Sequence, residues 1–204
     1  MASFIPYAPD SAFAEPSVDV TSTATTGSAA DTARTATESV SIIFTNDVHS
    51  AIDASEGSAL GYAGVAAFVE DAEAEHGKDN VTLVDAGDAV QGGLISTVTN
   101  GEANIAIMNK VGYDYAVPGN HEFDYGMDQF QLFANTLDAP YISCNFVKTD
   151  SGTNQRMLDA YEIATYENID DGNPNDGDDG LKVAFVGITT PETLTSSTPT
   201  TFQG

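Results

Sequence analysis

Three short apolar runs rich in β-branched residues each break off into a cluster of acids and histidines, with segments of helical character between them. "VSIIFT" runs into Asn46, Asp47 and His49, "VTLVDAGD" ends on Asp88, and "YAVPGNHEFD" carries Asn120, His121 and Asp124. Short buried strands alternating with helices specify an α/β architecture around a central sheet. In such sheets, sites form outside the carboxyl ends of the strands, so three polar clusters at three strand ends can converge in space.

The intervening segments fit this frame. "GYAGVAAFVEDAEAEHG" predicts a helix with Val65, Phe68 and Val69 on one face, stopped at Gly77. "GEANIAIMNKVG" predicts a second, closed by Gly112, and "MDQFQLFANTLDAP" a third, anchored by Phe130, Leu132 and Phe133 with Pro140 just beyond. "YISCNFV" reads as a strand, and "AYEIATYE" and "LKVAFVGITT" as two more around the turn-rich "NIDDGNPNDGDDG". The Asp170 to Asp179 stretch lacks the order of a calcium-binding EF-hand. Counted from Asp171, the sixth position is Asp176 rather than glycine, and no Glu closes the loop at the twelfth, so a solvated hairpin loop is expected. Residues 1–39, rich in Ala, Ser and Thr, read as a flexible leader, and residues 40–204 as the folded part.

Charge narrows the function. The 204 residues carry 31 Asp and Glu against 6 Lys and Arg, a formal net charge of -25. Six cations cannot build the basic patch that grips nucleic-acid phosphates or an anionic membrane. An anionic substrate would be repelled as well, unless bound cations reverse the local field. Such acidity suits a secreted protein, or one adapted to high salt. No stretch approaches the roughly 18 apolar residues that span a bilayer, and "MASFIPYAPDSAFAEP" lacks the basic and apolar regions of a signal peptide. The single cysteine, Cys144, permits no intrachain disulfide and is expected to be a buried structural thiol.

The cluster residues share one chemistry. Carboxylates and imidazoles hold divalent transition metals, and the two oxygens of Asp88 could bridge a pair of ions about 3.5–4 Å apart, a spacing that clamps a phosphoryl group. Two of the three histidines, His49 and His121, fall inside the clusters. The third, His76, is expected to face solvent at a helix C-terminus, where the helix dipole favours it.

The motifs "TNDVHS", "LVDAGDAVQGG", "AVPGNHEFDYG", "SCNF" and "VAFVGITTPET", in this order, resemble the calcineurin-like metallophosphoesterases. Within them the chain is most similar to the 5′-nucleotidase branch, with its UDP-sugar hydrolases and 2′,3′-cyclic-nucleotide 2′-phosphodiesterases. The resemblance implies a four-layer α+β sandwich of central mixed sheets flanked by helices, truncated here. It implies two divalent ions (Zn, Mn, Co or Fe), with Asp47 and His49 on the first metal, Asp88 bridging, and Asn120 on the second. His121 would be the catalytic histidine, oriented by Asp124, and a small nucleotide or nucleotide-sugar the substrate, handled outside the cytoplasm. The family completes its site with three further histidines, whereas none follows His121 here. The chain is therefore expected to be the N-terminal portion of a metallophosphoesterase domain, holding metal weakly and inactive alone. A non-catalytic remnant and a thiosulfate-oxidation enzyme of the same superfamily are the alternatives.

Overall fold

A computed structural model describes residues 39–53, 60–150, 153–169 and 180–197. The leader up to residue 38 and the Asp-rich stretch 170–179 lie outside the described residues. A parallel sheet is formed by β1 (Ser41–Thr45), β2 (Val81–Asp85) and the short β3 (Tyr115–Ala116), in the order β1-β2-β3. The register runs from Ser41 opposite Val81 to Thr45 opposite Asp85, so both strands end level. Helix α1 (Gly61–His76) connects β1 to β2, and α2 (Leu94–Thr99) and α3 (Glu102–Val111) connect β2 to β3. Helix α4 (Met127–Thr136) follows a 3-10 turn at His121–Phe123. The chain closes with two antiparallel pairs, β4 (Val147–Asp150) with β5 (Thr153–Arg156) and β6 (Tyr161–Tyr166) with β7 (Leu181–Val186), and a short α5 (Thr193–Ser196).

Strand periodicity assigns the two faces of the parallel sheet. Leu83 and Ala116 point to the helices, into a core shared with Tyr62, Val69, Ile105, Met108, Phe130 and Phe133. Phe130 anchors an aromatic cluster, 4.6 Å from Phe123 and 5.4 Å from Tyr141 between ring centroids. Thr82, Val84 and Tyr115 point the other way, to the β6–β7 hairpin. There the Thr82 and Tyr166 hydroxyls share a 2.6 Å hydrogen bond and Tyr115 stacks on Phe185 at 4.8 Å.

Several expectations need correction. β1 reads as a buried strand, yet Ile42 and Phe44 are 42% and 63% exposed, because the hairpin covers β2 and β3 but not this part of the face. Phe68 and Leu132 are also exposed; single apolar residues fell on the outer sides of α1 and α4, where the buried anchors are Tyr62 and Val69, and Phe130 and Phe133. "YISCNFV" makes isolated parallel bridges at Tyr141 and Ile142 instead of a strand, and β4 begins only at Val147. Pro140 offers no N–H, and Asn145 substitutes a side chain for a strand partner, donating to the Thr189 carbonyl at 2.7 Å and accepting its N–H at 2.9 Å. Cys144, on this irregular stretch, is only half-buried. His76 is half-buried too, its Nδ1 hydrogen-bonded to the Ser39 hydroxyl at 3.0 Å. Among the described residues no helix is long and apolar enough to cross a membrane.

Where the Tyr141–Cys144 stretch meets β7, a Cβ on Gly187 would lie 2.0 Å from the Ile142 carbonyl oxygen. Gly187→Ala forces these backbones apart and weakens the Cys144 N–H bond to the Gly187 carbonyl. We expect a loss of about 1–3 kcal/mol, read as a fall of several degrees in the thermal midpoint. An unchanged midpoint would show that this junction yields without cost.

Candidate metal centre

The polar clusters meet because the loops after β1 and β2 continue to hydrogen-bond beyond the strands. The Ala86 N–H donates to the Thr45 carbonyl, Asp47 to Gly87, His49 to Asp88 and Ser50 to Ala89, at 2.8 to 3.2 Å. This zipper drives Asp47, His49, Ser50 and Asp88 into left-handed backbone conformations, with φ of 52°, 45°, 60° and 60°. Each costs a residue with a Cβ roughly 1 kcal/mol or more, and such outliers cluster where a side chain must be aimed. The result is a tight group: His49, Asp88 and His121 each offer a ligand atom, and the three lie within 4.8 Å of one another. The histidine rings meet edge-on, with centroids 5.0 Å apart.

Each ring is oriented from behind. His49 Nδ1 is 3.3 Å from the Gln91 carbonyl, which selects the tautomer that leaves Nε2 free as a ligand. That Nε2 faces Asp47 at 3.4 Å, while the other oxygen of Asp47 accepts from the Asn46 side chain. His121 Nδ1 lies 2.6 Å from the Asp124 carboxylate. Partial burial opposes charge on the His121 ring, but the Asp124 bond and the nearby Asp88 outweigh it and raise its pKa above the ordinary histidine value. Burial is also the main reason that the Asp88 pKa is raised, against the pull of the His121 N–H and ring. Asp88 Oδ1 accepts the His121 backbone N–H at 2.8 Å. It can sit there only because residue 119 is glycine, where a Cβ would come within 2.3 Å of that oxygen.

The structure thus gathers His49, Asp88 and His121, sets Asp47 beside His49 and hangs Asp124 behind His121. Asn120 stands half-buried at the head of the 3-10 turn that presents His121. Asp47, His49 and Asp88 bring two carboxylates and an imidazole together, a donor set that Zn, Mn, Co and Fe all accept, so the residues present fit a divalent ion.

Two participants were given no role by the sequence, although Glu122 lies inside the "AVPGNHEFDYG" motif. Glu122 is fully buried and accepts the N–H groups of Asp88 and Gly119 on one oxygen and of Ala89 on the other, at 2.7 to 2.8 Å. Asp85, the last residue of β2, is equally buried and accepts from the Thr45 hydroxyl at 3.1 Å and the Gly87 N–H at 3.3 Å. Burial raises the pKa of both, and their mutual repulsion raises that of Asp85 further. The neighbouring "NHE" and "DAGD" spellings are the only hint, since the partners stand far apart in the chain. A second buried chain runs from the Ser50 hydroxyl through Ser96 to Asn104, whose amide donates to the Ala89 carbonyl at 3.1 Å.

Comparison with known proteins agrees with this geometry. The family model of the calcineurin-like phosphoesterases matches residues 40–185. The chain is 29% identical over 173 residues to a 5′-nucleotidase of Vibrio vulnificus, a match covering 84% of this chain and 28% of that protein. Among solved structures it is similar to the calcineurin-like phosphoesterase YfkN of Bacillus subtilis, at TM-score 0.65 and 27% identity over 81% of this chain and 52% of that one. It is also similar to the NAD nucleotidase of Haemophilus influenzae, at TM-score 0.61 and 27% identity over 78% of this chain and 28% of that one. The chain spans less than a third of the length of the curated relatives it matches first.

Proposed function

The chain belongs to the calcineurin-like phosphoesterase family, and from that premise we propose that it supplies the first part of a two-metal centre that hydrolyses phosphate esters of nucleotides. The observation that carries the reading is the convergence of His49, Asp88 and His121 within 4.8 Å at the ends of successive parallel strands. Nucleotidases among its relatives support the substrate class, and the family's use of divalent metals supports the cofactor.

In this reading Asp47 and His49 would hold one ion, Asn120 would hold a second, and Asp88 would be shared by both. Bound divalent ions supply charge stabilisation for a phosphoryl group and acidify an attacking water. They also reverse the local field of a chain whose net charge of -25 would repel a phosphate. His121 stands beside the leaving oxygen. Its Nδ1 is fixed on Asp124, so Nε2 faces the reacting group and donates a proton or a hydrogen bond as negative charge develops there. Asp124 keeps that ring oriented and cationic. Residues 40–204 are the N-terminal portion of the catalytic domain, in keeping with the 52% coverage of YfkN, and the parent protein works outside the cytoplasm.

The test is phosphate release from AMP, a UDP-sugar and a 2′,3′-cyclic nucleotide by the full-length protein, with Mn²⁺ or Zn²⁺ and with a chelator. Metal-dependent release from at least one substrate is expected. Release that persists undiminished in chelator, or none with any metal, would sink the proposal and leave the non-catalytic reading.

A further inference from the structure

We propose that Glu122 is the positioning residue of this centre: a buried bracket whose two carboxyl oxygens set Asp88 and His121 at their working separation. The inference rests on the phosphoesterase reading and adds to it a residue that touches neither substrate nor ion.

Glu122 is fully buried, and its three partners are neutral backbone amides from two loops 30 residues apart in the chain. Burying a carboxylate is costly, and a core position with no further task would be filled by an apolar side chain. Here the side chain meets three N–H donors aimed at two oxygens, so the site asks for an acceptor at each position, and glutamate supplies both. One oxygen takes the Asp88 and Gly119 amides together and the other takes Ala89. Glutamine at this position would turn an NH₂ group against at least one of these N–H donors. Aspartate would fall short by a methylene.

The amides in question stand next to the reacting groups. The Asp88 N–H belongs to the residue whose Oδ1 accepts the His121 N–H at 2.8 Å, and Glu122 itself follows His121 in the chain. The bracket therefore sets the depth of the Asp88 turn and the pitch of the 3-10 turn together. The space between the loops confirms that the fit is close, since a Cβ on Gly87 would lie 2.7 Å from the Gly119 nitrogen. Without the carboxylate, three donors would be buried without acceptors and the loops would part to admit water.

The experiment compares Glu122→Gln with Leu83→Ala, a core substitution on the same sheet that leaves the bracket intact. Amide hydrogen exchange and Mn²⁺ affinity are measured on both variants and on the parent, all as the full-length protein. In the parent, the Asp88, Ala89 and Gly119 amides should exchange as slowly as that of Leu83. Glu122→Gln should speed these three amides at least roughly tenfold beyond what its global stability explains and weaken Mn²⁺ binding about 10–100-fold. Leu83→Ala should lose stability with its Mn²⁺ affinity held within about threefold. Fast exchange at these amides in the parent, or changes in Glu122→Gln that merely track its stability, would overturn the proposal. If Glu122→Gln does not fold, Glu122→Asp, which keeps the charge but not the reach, gives the same reading. A full-length protein with protected amides that takes up no Mn²⁺ would remove the metal reading while leaving the bracket standing.

Discussion

Replacing His121 with alanine is expected to lower turnover in the full-length protein by about 10²–10⁴-fold, with metal content unchanged. The reason is geometric. His121 is fastened at Nδ1 by Asp124 at 2.6 Å and at its backbone N–H by Asp88 at 2.8 Å, so its Nε2 is delivered in one orientation to the place where charge develops. Water filling the space left by the ring would be neither oriented nor cationic. Metal content is the sharper half of this result, because the ligand atom of His121 lies within 4.8 Å of those of His49 and Asp88. A variant that loses turnover and an ion together would make His121 a ligand rather than the acid. Unchanged turnover would show that it is neither. Asp124→Asn should reproduce a smaller part of the loss.

Changes at Asp88 should be broader, and they separate charge from shape. Asp88→Ala removes the proposed bridging ligand and the acceptor for the His121 N–H, so metal falls below one ion per chain and hydrolysis falls to background. Asp88→Asn keeps an oxygen where Oδ1 now sits, and asparagine tolerates the left-handed backbone, φ 60°, that alanine does not. It should preserve the loop and lose the metal. Burial raises the Asp88 pKa, so without an ion the folded state disfavours the charged carboxylate. The metal-free Asp88→Asn protein should therefore melt no lower than the metal-free parent at neutral pH, while Asp88→Ala melts lower. Metal analysis beside thermal unfolding checks both, and an Asp88→Asn protein that still holds its ions would exclude the bridging role.

The meeting of the polar clusters was legible in the sequence because each is spelled locally. Asp47 and His49 lie two residues apart, and Asn120, His121 and Asp124 occupy one turn, so the three clusters in one order say together what no pair says alone. The places of the first three strands were legible for a similar reason, since each apolar run stops at its own polar cluster. What stayed hidden depends on partners distant in the chain. Glu122 finds its acceptor role on amides that the sequence does not mark, and Asp85 resembles any acid at a strand end until its burial is known. Side-chain direction was hidden as well. Phe44, Phe68 and Leu132 satisfy a hydrophobic pattern, but whether a face is covered depends on the β6–β7 hairpin and on the exact turn of each helix. "YISCNFV" has the composition of a strand, and its failure to become one lies in the pairing of Asn145 with Thr189, 44 residues away.

The left-handed backbone at Asp47, His49, Ser50 and Asp88 also limits how far this fold can be stabilised by design. Glycine would relieve each of these positions, and asparagine most of them, by a single substitution that stabilises the fold. At Asp47, His49 and Asp88, however, either exchange would remove a side chain of the proposed centre, so the most direct route to a more stable loop runs through the residues that would hold the ions.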